Sequence, residues 1–236
     1  MKLFVILIVV VLIYIVYNRY IVDCDKPIVK TIKSKNHGPT VLIVCSQHGN
    51  EPAPSVAGKQ ILSVIKNKIK KGTVILITEA NPCGLRFNTR SLPNGVDINR
   101  SYGEKFTNTS KLITDYANKS DIVLDLHEGW GYNNLDAGSM GSNIYYKPRT
   151  NLDAEQICNN SVSTINSSIT ESYKKFKCMR DDPTETPTTL SAYCERNSIP
   201  VLIVETSGQD DIQPIQLRAD QHKVVIMETL NRFGIV

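Results

Sequence analysis

The sequence predicts an α/β fold in which helices sandwich a single, largely parallel sheet. Three observations predict it: short, almost wholly apolar β-branched runs, amphipathic stretches between them, and a length that suits one domain. The runs are Thr40 to Cys45, Thr73 to Thr78, Asp121 to Leu126 and Pro200 to Val204. Strands covered on both faces read this way, because neither face can carry polar side chains. Between the first two runs, Ser55 to Ile69 sets Val56, Ile61, Leu62, Ile65 and Ile69 roughly on one helical face, with lysines opposite. Ser110 to Lys119, Leu152 to Phe176, Leu190 to Asn197 and Ala219 to Arg232 read as further helices. Strands alternating with helices over about 210 residues are the pattern of a single α/β sandwich.

The composition agrees. Of 236 residues, 41% are hydrophobic, 21% charged and 7% aromatic, which excludes disorder, collagen and coiled coil. The net charge of +4 comes from scattered basic residues, so no nucleic-acid partner is implied. Cys24, Cys45, Cys83, Cys158, Cys178 and Cys194 lack metal-like or disulfide-scaffold spacing and read as core residues. No GxGxxG, Walker loop or CxxC occurs, so no nucleotide cofactor is implied.

The amino terminus is a separate object. Leu3 to Tyr17 is an unbroken apolar and aromatic run, roughly 22 Å long as a helix. Tyr20, Ile21 and Val22, with Arg19 snorkelling, carry it toward a hydrocarbon core of about 30 Å. No small-residue cleavage site follows, so residues 1–22 are expected to be a single-pass membrane signal-anchor preceding one domain over 23–236. The side of the membrane stays open. Arg19, Lys26, Lys30, Lys33 and Lys35 favour a cytoplasmic domain. The sequons Asn108-Thr109-Ser110 and Asn166-Ser167-Ser168 point the other way.

Polar residues gather where the apolar runs end. His48-Gly49-Asn50-Glu51 follows the first, Asn81-Pro82 the second, His127 closes the third and Glu205 the fourth. Sites in open α/β sheets form outside the carboxyl ends of the strands. Two histidines and one glutamate, His48, Glu51 and His127, make a catalytic zinc set for one ion with a position left open. By itself H-x-x-E equally fits a helix-capping turn. The strand period of two puts Asp125 on the face of His127, where it can orient the ring. Glu205 ends an apolar run, where a carboxylate needs a partner; it suits a general base or an ion pair. Arg90 lies in an Arg- and Asn-rich stretch, Asn81 to Arg100, fit for carboxylate capture, oxyanion stabilisation or a solvated loop. Gly138-Ser139-Met140-Gly141 is similar to a serine nucleophile elbow, but no strand precedes it. His37 and His222 read as surface residues.

The ordered succession HGNE, NPCG, NTRS, GVDINR, DLHEG and VETSG resembles the zinc metallocarboxypeptidase family, including its succinylglutamate desuccinylase/aspartoacylase branch, over roughly Val41 to Gly208. That resemblance implies a mixed sheet of about eight strands between helices. It implies zinc on His48, Glu51 and His127, with Glu205 as general base and Arg90 polarising the scissile carbonyl. Asn99 and Arg100 match the pair that holds a substrate carboxylate, and Asp97 the acid that orients the first zinc histidine. Tyr193 is a candidate for the tyrosine that caps that carboxylate, and Thr184 to Ala192 falls where the specificity pocket is built. Asp182 to Thr189 reads either as a lid or as a loop without a role. Asn50 stands where many digestive-type members carry Arg, and Cys83 where an Asp is common.

The activity implied is zinc-dependent hydrolysis of a peptide or amide bond beside a free carboxylate, on small peptides. One alternative is a deacylase of N-acyl amino acids, whose extra carboxyl-terminal β domain would not fit the residues after Glu205. The other is a catalytically inactive, membrane-tethered binding protein.

Overall fold

The computed structural model describes residues 2–21, 24, 26–147, 152–180 and 186–236. The four apolar runs become β2 (Thr40–Cys45), β3 (Thr73–Glu79), β4 (Ile122–Gly129) and β7 (Val201–Ser207). They lie parallel, in the order β3-β2-β4-β7. β1 (Ile28–Lys33) is added antiparallel to β3 at one edge. At the other, β5 (Asn143–Tyr146) runs antiparallel to β7 and carries β6 (Lys177–Arg180) beside it. The mixed sheet therefore has seven strands among the described residues, against about eight implied. β1, β5 and β6 carry weak signals: β1 is half lysine and threonine, and the other two are four residues long.

α2 (Ala53–Ile65), α5 (Leu152–Asn166) and α7 (Ile215–Arg232) pack on the face that carries Ile43, Leu76, Leu124 and Leu202. α4 (Asn108–Ala117) and α6 (Leu190–Arg196) cover the other, with Val44, Ile77, Val123 and Val201. α5 ends ten residues short of the expected Phe176. Ser167 and Ser168 follow Asn166, and such residues compete with the helix for backbone bonds. The Asn166 amide then pairs with both backbone groups of Phe176, at 2.7 and 3.0 Å, and turns the chain into β6.

Three further expectations change. α1 (Lys2–Ile21) is helical, and its described side chains, Val5 to Tyr14, are exposed. Among the described residues no helix is long and apolar enough to cross a membrane, so the transmembrane anchor is not supported. Four of the six cysteines are not simple core residues: Cys24 bonds Cys83, and Cys158 bonds Cys178, across sequence separations of 59 and 20. Such pairs are tertiary contacts with no local spacing to reveal them; Cys45 and Cys194 are buried thiols. Cys83 belongs to α3 (Pro82–Phe87), so the cysteine found in place of a common aspartate has a structural partner. His222, expected on the surface, is fully buried on the inner face of α7, with Nε2 3.3 Å from Thr206 Oγ1.

Burial, with His127 and then Arg218 acting in the same direction, pushes His222 down to about 3 from 6.5. Above 6.5 the ring is neutral folded and unfolded. Below it the unfolded chain takes a proton that the fold refuses, so stability falls by up to about 1.4 kcal/mol per pH unit. Urea unfolding should show the wild type losing stability relative to His222→Gln by that slope as pH falls from about 6.5 to about 5, because every other titrating group, Glu128 included, is common to both chains. Cys158→Ser should cost about 2–4 kcal/mol in the same measurement, and an unchanged midpoint would remove the bond's structural role.

Candidate metal centre

Strand alternation and register set the site. On β4, Asp125 and His127 share the face of Val123, while Glu128 turns with Leu124 and Leu126 to the other. His127 pairs in register with Glu205 of β7, so both reach the same sheet end side by side. His48 and Glu51 come from the turn between β2 and α2. That turn packs so closely that a Cβ on Gly49 would stand 1.9 Å from the Gly84 carbonyl carbon, which only glycine permits.

Both imidazoles aim Nδ1 at one carboxylate. His48 Nδ1 lies 2.7 Å from Glu51 Oε1, and His127 Nδ1 lies 2.9 Å from Glu51 Oε2. All three residues are buried, with ligand atoms within 4.8 Å of one another. Each far nitrogen meets another acid: His48 Nε2 is 3.1 Å from Asp97 Oδ1, and His127 Nε2 is 3.0 Å from Asp125 Oδ1. Burial pushes Glu51 up, but the two histidines outweigh it and hold the carboxyl far below its ordinary range. Burial likewise pushes His127 down, and Asp125 and Glu51 more than reverse it. Carboxylates on both sides of the rings therefore favour a positive charge among Nδ1, Nδ1 and Glu51. With two nitrogens and one carboxylate as donors, that group fits a zinc ion.

The supports come from several elements. Asp97 also accepts from Arg90 Nε at 2.9 Å, which leaves Arg90 Nη1 3.7 Å from Glu51 Oε1. Tyr102 donates to Gln47 Oε1 and Gln47 Nε2 donates to Asp125 Oδ1, at 2.5 and 2.7 Å, a buried chain ending on His127. Asn99 accepts from the Leu190 N–H at 2.9 Å and has Nδ2 3.3 Å from His127 Nε2. Its amide is engaged within the fold. Glu128 accepts from the Ala53 N–H at 2.5 Å and from the buried Arg218. Burial pushes Glu128 up to about 7, against the pull of Arg218. Gln209 donates to the Glu128 carbonyl at 2.8 Å and reaches Glu51 Oε1 at 3.4 Å.

His48, Glu51, Asp125, His127, Glu128 and Gln209 line a cavity of about 300 Å³, together with Arg90, Asn99, Arg100, Thr189, Ser191 and Glu205. Gln47, Tyr102, Gln209 and Arg218 belong to none of the motifs in the sequence. Only the stretch after the VETSG motif, with Gln209 four residues beyond Glu205, offered a signal. Tyr193 does not face this cavity: its hydroxyl donates to Asn118 Oδ1 at 3.0 Å. Thr189 and Ser191 represent the expected specificity segment, whereas Thr184 and Glu185, with Asp182 and Pro183 of the lid-or-loop stretch, lie outside the described residues. Ser139 is buried in a loop with no strand before it, so the elbow-like motif is not one.

The fold and the donor set resemble those of zinc metallocarboxypeptidase-like proteins. Residues 37–135 match the model of the succinylglutamate desuccinylase/aspartoacylase catalytic domain. Over 106 residues, 42% of this chain, it is 30% identical to the N-alpha-acetyl-L-2,4-diaminobutyric acid deacetylase of Halomonas elongata, of which the match covers 31%. The tripeptide-bound cell shape determinant Csd4 of Helicobacter pylori shares the fold at TM-score 0.74 and 21% identity, over 89% of this chain and 56% of that one. A succinylglutamate desuccinylase/aspartoacylase of Rhodobacter sphaeroides does so at TM-score 0.63 and 19% identity, over 88% of this chain and 59% of that one. The chain thus spans under a third of the curated relative and little over half of these structures. Together these findings bear out the family resemblance read from the motifs.

Residues that orient metal ligands are expected to govern affinity. Asp125→Asn should weaken zinc binding about 10–100-fold and Gln209→Ala about tenfold, measured by competition with a chromophoric chelator.

Proposed function

We propose that this chain is a zinc-dependent hydrolase that cleaves a peptide or amide bond beside a free carboxylate. The observation that carries the reading is the convergence of His48 Nδ1, His127 Nδ1 and the Glu51 carboxylate in one cavity with Glu205, Arg90 and Arg100. A single zinc ion bound there would supply Lewis acidity and an acidified water near neutral pH. Glu205 takes a proton from the attacking water at its carboxylate and returns it to the leaving amine nitrogen. Arg90, held by Asp97, stabilises the negative charge that develops on the carbonyl oxygen. Arg100 grips the substrate carboxylate and sets its register. Asn99, whose amide is tied to Leu190 and His127, fixes the neighbourhood of that grip.

Small peptides with a free terminus are the first substrate class, supported by the two guanidinium groups in the cavity. The match to the desuccinylase/aspartoacylase model favours a second class, N-acyl amino acids, whose amide also lies beside a carboxylate. The exposed apolar row Val5 to Tyr14 supports attachment to a membrane surface, tested by whether the full chain sediments with phospholipid vesicles. The two disulfides support a catalytic part on its oxidising side.

Zinc-loaded protein is to be offered matched free and amidated peptides beside N-acetyl and N-succinyl amino acids, with products read by mass spectrometry. Release confined to free-carboxylate peptides establishes the first class, and release confined to N-acyl amino acids the second. Glu205→Gln should abolish turnover while keeping zinc, and Arg90→Ala should lower kcat about 10²–10³-fold. Full activity in Glu205→Gln would remove Glu205 as the base, and no turnover of any of these substrates by the zinc-loaded wild type would leave the catalytically inactive binding protein as the better reading.

A further inference from the structure

Arg100 lines two cavities. Besides the metal cavity it borders a larger one, of about 700 Å³, between residues 100–106 and 187–197. The two walls are stitched together. The Tyr102 N–H donates to the Thr188 carbonyl at 2.9 Å, and Arg196 donates to the carbonyls of Pro187 and Tyr102 at 2.5 and 2.9 Å. A Cβ on Gly103 would stand 3.0 Å from Thr188 Cγ2, so the walls meet without room to spare. Phe106, 44% exposed, stands edge-on to Tyr193 at 6.3 Å between ring centres and forms an aromatic side.

Charge is the second feature. Among the described residues, Arg100, Lys105 and Arg196 line this space against one acid, Glu104. Among the described residues Arg100 donates only to the Asn99 carbonyl, Arg196 donates only to the two carbonyls above, and Lys105 has no ion pair. Three cations around one concavity repel one another, and an anion between them removes that repulsion while gaining charge-assisted bonds. The aromatic side suits the apolar body of the same ligand, with arginine free to stack on it.

We propose that this cavity is a second ligand subsite, for an acidic group carried on an apolar or aromatic body, joined to the metal cavity through Arg100. Naming that ligand the distal part of the substrate rests on the hydrolase reading; its binding does not. The subsite selects substrates with a second anionic group beyond the carboxylate held at Arg100.

The test is calorimetric titration of the zinc-loaded full chain with isophthalate, a planar dicarboxylate. Lys105→Glu should weaken binding about tenfold and Phe106→Ala about fivefold. Both side chains are exposed, and thermal midpoints and zinc content should stay at wild-type values. Arg90→Ala, in the metal cavity, should leave isophthalate affinity unchanged. No binding by the wild type, or equal affinity in Lys105→Glu and Phe106→Ala, overturns the subsite. Weakening by Arg90→Ala alone also overturns it, since the probe would then occupy the metal cavity. Turnover measured on the same samples keeps the two readings apart: a chain that binds isophthalate at Lys105 yet hydrolyses nothing loses the hydrolase reading and keeps this one.

Discussion

The buried Glu51 carboxylate between two imidazoles is the interaction on which the rest of the site depends. A charge taken out of water costs several kcal/mol unless its partners are held in good geometry. Here the holding is distributed. Asp97 and Asp125 occupy the far nitrogens of the two rings, so that the near ones face Glu51. The Glu128 N–H and Gln209 take up what remains of the carboxylate. Gln47 and Tyr102 then hold Asp125, buried well behind the ligands.

The same economy appears in β4. Alternation sends His127 to one face and Glu128 to the other, so adjacent residues serve the metal group and the scaffold. Glu128 joins the start of α2, through the Ala53 N–H, to Arg218 of α7. The turn that carries Glu51 is thereby braced from behind by a helix more than 150 residues away in sequence. Register does the remaining work. Because β4 and β7 are parallel and paired at His127 and Glu205, a carboxylate from a distant strand stands beside a metal ligand.

Around this centre the surroundings differ from those the motifs imply. Asn99 accepts from the Leu190 N–H and has its amide nitrogen near His127, and it lines the metal cavity together with Arg90 and Arg100. Tyr193 belongs to the aromatic side of the larger cavity and not to the metal centre. The match to the desuccinylase/aspartoacylase model ends at residue 135, before Glu205, Thr189 and α6. Glu205, Thr189 and Ser191, which line the metal cavity, thus lie in the part of the chain that the family model leaves uncovered.

Much of the fold was legible because its strongest elements are local. Four runs of β-branched residues can be little else than buried strands, and α2 and α7 announce themselves by periodicity. The metal-site residues were legible for a related reason: each polar residue interrupts or ends an apolar run, where its cost demands a function. The short edge strands β5 and β6, the end of α5 and the burial of His222 depend on what packs against them. So do both disulfides, whose partners meet only in the folded chain. By itself the sequence determined the α/β class, the ordered motifs and the residues able to bind zinc. Tertiary structure decided which nitrogen of each histidine faces Glu51, which carboxylate backs each ring, and that Arg100 stands between two cavities. Those decisions rest on contacts between residues tens of positions apart, and no local pattern of side chains encodes the distance between them.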